Sequence, residues 1–168
     1  MDAIYIPSLT KLPDRTEVIR VKESLANLPT LMPVQGELQV THQGNYLEVS
    51  AQAEAIVTLT CNRCLQQYNY RLNIKPSEMI WLEEPSPQVA SSPVEIETPF
   101  EELLESLPPN GYFEPDTWLY EQLCLAIPSK QLCDADCQGI PVSESDRAQS
   151  VVDSRWAALN ALKGKLPQ

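Results

Sequence analysis

From Leu47 to Cys61 every odd position is apolar, Leu47, Val49, Ala51, Ala53, Ala55, Val57, Leu59 and Cys61, while the positions between are mostly Glu, Ser, Gln and Thr. Successive side chains on a strand point to opposite faces, so this run forms a long strand with one buried and one wet face. After Cys64 the phase switches: Tyr68, Tyr70, Leu72 and Ile74 fall on even positions, with polar residues between them. A second strand therefore returns from the first, and Cys61 and Cys64 sit at the tip of an antiparallel hairpin. Upstream, Val34, Gly36, Leu38 and Val40 alternate in the same way before a tight turn at Gln43-Gly44-Asn45. Residues 1 to 33 read as short strands and turns, with one helical turn near Ser24 to Leu28.

The second half has a different texture. Residues 83–99 are rich in Pro, Ser and acids and read as a linker. Thr98, Pro99 and Glu101 then offer a cap, a first-turn proline and a capping-box acid for a short helix to about Leu107, stopped by Pro108-Pro109. Asp116 caps a second helix carrying Leu119, Leu123, Ala126 and Ile127, and Cys124 on it reads as a small buried hydrophobe. Asp153 caps a last helix carrying Trp156, Leu159 and Leu162, which stops at Gly164. The expected architecture is one α+β domain over residues 1–168, in three parts. Residues 34–82 are a β-hairpin body, 83–99 the acidic linker and 116–163 a helical part. The antiparallel sheet is expected to curl toward a barrel, with the short helices packed on it.

Charge is distributed unevenly. No Lys or Arg occurs between Lys75 and Lys130, and that window holds eleven of the 23 acids; the remaining acids balance the 12 bases, so one segment carries the whole formal charge of −11. Such a segment repels phosphate and favours basic partners, or simply solvates the chain. With no apolar run of membrane-spanning length and no basic, apolar leader, the expected compartment is the cytosol.

Five cysteines in a reducing compartment remain thiols or bind metal. Cys61-Asn62-Arg63-Cys64 and Cys133-Asp134-Ala135-Asp136-Cys137 supply two pairs whose spacing suits a structural, four-thiolate Zn2+ knuckle with no open catalytic position. The candidate ligands are Cys61, Cys64, Cys133 and Cys137; the alternatives are unligated thiols or a redox pair. A redox pair of the thioredoxin kind needs a strand running into a helix, whereas Cys61 and Cys64 have strand-like flanks on both sides. Catalysis finds little else to stand on. The lone histidine, His42, lies beside a turn, and five glycines build neither a P-loop nor a dinucleotide-binding fingerprint.

The strand ending in Cys61-Asn62-Arg63-Cys64-Leu65 resembles the YceD family, the large ribosomal RNA subunit accumulation proteins. Leu123 to Pro128, Leu132-Cys133, Asp136-Cys137-Gln138-Gly139-Ile140 and Asp153-Ser154-Arg155-Trp156-Ala157-Ala158-Leu159 follow the same pattern in order, from roughly Val34 to Lys163. Many members continue after the glycine with a further Cys-Pro-x-Cys-Gly, where this chain reads Pro141-Val142-Ser143. The resemblance implies a non-enzymatic role in synthesis, processing or stability of 23S ribosomal RNA during large-subunit assembly. Expected partners are large-subunit rRNA or a pre-ribosomal particle, with a basic ribosomal protein or assembly factor for the acidic window, and no membrane. The other functions to weigh are an acidic adaptor or chaperone for a basic protein, and a thiol redox protein.

Overall fold

A computed structural model describes residues 1–84 and 106–141. Its chain runs β1 (Ile4–Tyr5), α1 (Ile6–Leu9), a 3-10 turn at Pro13–Arg15, β2 (Thr16–Glu23), β3 (Val34–His42), β4 (Tyr46–Thr60), β5 (Gln67–Ile74), β6 (Ser77–Leu82), β7 (Ser106–Leu107), β8 (Tyr112–Phe113) and α2 (Pro115–Leu125). The alternating segments form the main sheet, in the order β2-β3-β4-β6-β7 with β5 also on β4. All pairs are antiparallel except β6 with β7.

β5 and β6 are two halves of one strand. Ala53 faces Ile74 and, three residues back, Ser50 faces Ser77, so the register on β4 is unchanged across Lys75-Pro76. Pro76 has no N–H to give to the ladder, yet its carbonyl still accepts the Ala51 N–H at 3.1 Å. The hairpin thus runs the whole length of the 15-residue β4. β6 was not anticipated from sequence, because Pro76 reads as a strand end and exposed Met79 breaks the apolar pattern.

The odd face of β4 is buried from Leu47 to Cys61, as the alternation requires. Gly36 sits on the same face of β3, opposite Ala53; a Cβ there would lie 2.3 Å from the Gln52 carbonyl oxygen and 2.7 Å from Ala53 Cα. Only glycine allows the two backbones so close. Against this face pack Ile4, Ile6 and Leu9 from the N-terminal segment, Leu25 and Leu28 from the β2–β3 connection, and Phe113, Trp118, Leu119 and Leu123 from β8 and α2. Each fully buried Leu or Ile contributes about 1.5–3 kcal/mol. Trp118 and Gln122 also reach Glu78 on β6, as donors at 2.7 and 3.0 Å to the same carboxylate oxygen. This second layer removes the need for a barrel. The sheet is not closed: β2 and the two-residue β7 lie at opposite ends of the strand order, which corrects the expectation of a curl toward closure.

Other departures have local causes. Ser106–Leu107 form a strand beside Trp81 and Leu82 in place of a helix end, because the residue before Pro108 is driven to extended backbone. α2 starts at Pro115, with Glu114 as its N-cap and Asp116 inside the first turn, where proline's fixed φ suits the first helical position. Ser24 to Leu28 make only a turn, closed by the Leu28 N–H on the Leu25 carbonyl at 3.2 Å. The expected linker beyond residue 84, the helix start at Thr98 to Glu101, and the last helix with Trp156, Leu159 and Leu162 lie outside the described residues. Among the described residues, no helix is long and apolar enough to cross a membrane.

Candidate metal centre

β4 delivers Cys61 fully buried at its end, and the chain turns back through Asn62, Arg63 and Cys64 into β5. Three backbone N–H donors shape this turn: Cys61 N–H to the Gln66 carbonyl at 2.9 Å, Leu65 N–H to the Cys61 carbonyl at 3.0 Å, and Arg63 N–H to the side-chain sulfur Cys61 Sγ at 3.4 Å. Leu65 takes a left-handed φ of +61°, a conformation costing a non-glycine residue about 1–2 kcal/mol and retained here by the turn.

The second loop follows α2. Asn62 N–H donates to the Gln131 carbonyl at 2.8 Å, and the Arg63 guanidinium donates to the carbonyls of Cys137 at 2.9 Å and Ala135 at 3.4 Å. Within the loop, Cys137 N–H meets the Asp134 carbonyl at 3.2 Å and Asp136 N–H meets Asp134 Oδ1 at 2.8 Å. Gly139, at φ +78°, lets the chain turn beside Arg63, whose carbonyl oxygen would be 3.4 Å from an added Cβ. Sequence reasoning found the cysteines but missed these two supports. The available signals were an arginine between paired cysteines and a glycine two residues after the last one.

The result is a quartet of sulfurs. Cys61 Sγ lies 3.8 Å from Cys137 Sγ, Cys64 Sγ lies 3.7 Å from Cys133 Sγ, and all four sulfurs are within 4.8 Å of one another. Four thiolates each about 2.3 Å from a central Zn2+ form a tetrahedron with edges of about 3.8 Å. A disulfide would need about 2.05 Å. The quartet therefore fits a metal site, and every sequence-derived candidate takes part. Cys124, half-buried on α2, is not in the quartet and packs against the core.

Electrostatics separate the four thiols. Backbone N–H groups of Cys64, Cys133 and Arg63 outweigh burial and bring the Cys61 thiol down to about 6. The neighbouring thiols of Cys137, Cys64 and Cys61, with burial added, push Cys133 up to about 12. At Cys64 the Gln66 N–H pulls downward, but burial and the Cys61 thiol prevail and the net direction is up. Crowded thiols cannot all ionise without a cation among them, whereas a bound metal needs all four as thiolates. His42, far from this chemistry in sequence, accepts the Gly44 N–H at 3.1 Å and serves its turn.

Compared with known proteins, residues 49–163 match the family model described as large ribosomal RNA subunit accumulation protein YceD. The matched stretch includes both cysteine loops. No curated protein and no solved structure gives a match.

Proposed function

This chain belongs to the YceD family of large ribosomal RNA subunit accumulation proteins, and on that premise we propose that it is a non-enzymatic accessory factor in large-subunit biogenesis. It acts in the cytosol on the synthesis, processing or stability of 23S rRNA, in association with the rRNA or a pre-ribosomal particle. The observation that carries the reading is the family match across most of the chain, hairpin and second cysteine loop included. In this reading Cys61, Cys64, Cys133 and Cys137 hold a structural Zn2+ that ties the hairpin tip to the segment after α2. Four sulfurs at tetrahedral spacing favour that role over dithiol redox turnover, in which one exposed thiolate must attack. The acidic window between Lys75 and Lys130 engages a basic ribosomal protein or assembly factor.

Sucrose-gradient sedimentation of cell extract tests the function. The protein should travel with large-subunit precursors and leave those fractions when precursors are depleted; a protein found only at the top of the gradient would refute the reading. Replacing the acids of the window by Gln or Asn, with Glu78 left in place because it seats α2, should weaken that association, and unchanged association would remove the acidic window from the account.

A further inference from the structure

The face of the main sheet turned away from α2 is bare among the described residues. Its side chains on β2, β3, β4, β5 and β6 are mostly exposed, while every described helix lies over the opposite face. An antiparallel sheet tolerates one wet face, but the chemistry gathered here is distinctive. Four bases, Arg20, Lys22, Arg71 and Lys75, stand on it with three acids, Glu37, Glu48 and Glu54. Among the described residues, four bases against three acids here and four against twelve elsewhere make this the face where a polyanion meets less repulsion. Among the described residues Arg20, Lys22 and Lys75 take part in no ion pair, and Arg71 makes only a loose one with Glu54 at 3.5 Å, both side chains half exposed or more.

Between the bases lie primary amides. Gln35, Gln39, Gln52, Asn69 and Asn73 are all exposed and in cross-strand register, Lys22 facing Gln35, Gln35 facing Glu54, and Glu54 facing Asn73. An amide offers both donor and acceptor, which suits the edges of unpaired bases. At the far end Tyr46 and Trp81 face each other across the ladder with ring centroids 5.7 Å apart, both partly exposed. Bases, amides and an aromatic pair on one sheet face are elements with which β-sheet proteins hold unpaired nucleotides.

We propose that this outer sheet face binds single-stranded RNA, the bases of the chain holding phosphates, the amides reading nucleobase edges and Trp81 with Tyr46 stacking one base. The inference deepens the proposed function, on which it rests, by assigning the RNA contact to one surface.

The test uses the full chain with its metal and a fluorescein-labelled, non-self-complementary single-stranded RNA, followed by anisotropy at two salt concentrations. Binding should weaken as salt rises, and the same sequence as a duplex should bind less tightly. The double variant Arg20→Glu/Lys75→Glu should bind about tenfold or more weakly. Trp81→Ala should lose about fivefold or more, whereas Lys11→Glu and Lys130→Glu, off this face, should stay within about twofold of the parent. Thermal melting confirms that each variant is folded. No single-stranded binding by the parent chain, or equal losses on and off the face, would overturn the assignment. Co-sedimentation with large-subunit precursors separates the two claims. A parent chain that co-sediments yet binds no RNA refutes the face alone, and one that does not co-sediment refutes the function itself.

Discussion

Trp118 donates its indole N–H to Glu78 Oε2 at 2.7 Å, joining α2 to β6 across 40 residues of sequence. The same oxygen takes the Gln122 amide at 3.0 Å. Replacing Glu78 by Ala strands a buried indole donor, at a cost of about 1–3 kcal/mol. For a chain of this size that lowers Tm by about 2–4 °C per kcal/mol. Glu78→Gln keeps an acceptor and should lose less than half as much. Differential scanning calorimetry decides, and an alanine variant melting with the parent would show that packing alone seats α2.

Gly36→Ala should be far more damaging than its size suggests. The new methyl would meet the Gln52 carbonyl oxygen and the Ala53 backbone, neither of which can swing aside. Forcing β3 and β4 apart costs about 1–3 kcal/mol or more, read as a lower urea midpoint. A midpoint unchanged within error would mean that the strands are not so closely apposed in solution.

Purified protein should carry about one Zn2+ per chain, measured by elemental analysis. Cys61→Ser, Cys64→Ser, Cys133→Ser and Cys137→Ser should each abolish or severely weaken retention, while Cys124→Ser, outside the quartet, should not. Chelation should lower Tm, since metal that binds only the folded chain contributes its binding energy to folding. Metal-free protein with parental stability would refute the structural role.

Arg63 supports the quartet without touching metal, by donating to the carbonyls of Cys137 and Ala135. Arg63→Ala should weaken metal affinity by about 10–100-fold. Both bonds leave the single nitrogen Nη1, so Arg63→Lys, whose ammonium carries three donors, should restore part of the lost affinity. Competition with a chromophoric chelator measures both.

Without metal, the ultraviolet absorbance of thiolate should show one group ionising well below the ordinary thiol range. Cys61 is held at about 6, against 9.0 for an unperturbed thiol. Because folding lowers this pKa, the stability it contributes is fully present above 9.0 and is lost as pH falls through about 6. Cys133 works in the opposite sense. Raised to about 12, it contributes stability below 9.0 that disappears as pH climbs through about 12. From these two thiols the metal-free protein is most stable near pH 9, and Cys61→Ser should flatten the acid limb. A parent and variant with identical profiles would refute the assignment.

The sheet and the quartet were legible in sequence to very different depths. Leu47 to Cys61 announce a strand because fifteen residues of alternation, broken only at Ile56, fit no other period. The phase switch after Cys64 likewise placed the hairpin tip. β6 was hidden, since proline and a half-buried glutamate replace the apolar signal, and Glu78 makes sense only once Trp118 is beside it. The start of α2 was misread by two residues for a related reason: Asp116 is a good cap in isolation, but Pro115 already fits the first helical position. Spacing named the four sulfurs, yet no spacing rule shows that Arg63 would reach across to the second loop. That contact joins residues 74 apart in sequence, beyond the reach of any local pattern.

The uninterrupted register across Pro76 sets an order of events for the folding chain. The hairpin of β4 with β5 and β6 closes around a short turn, and such pairing takes about 1–10 μs for an isolated hairpin. The sulfur quartet must instead bridge Cys64 to Cys133 and Cys61 to Cys137, separations of 69 and 76 residues. A chain emerging during synthesis can zip its hairpin while half the cysteines of the quartet have yet to be made. Assembly of the quartet is therefore a late checkpoint: it registers that the segment beyond α2 has arrived and docked.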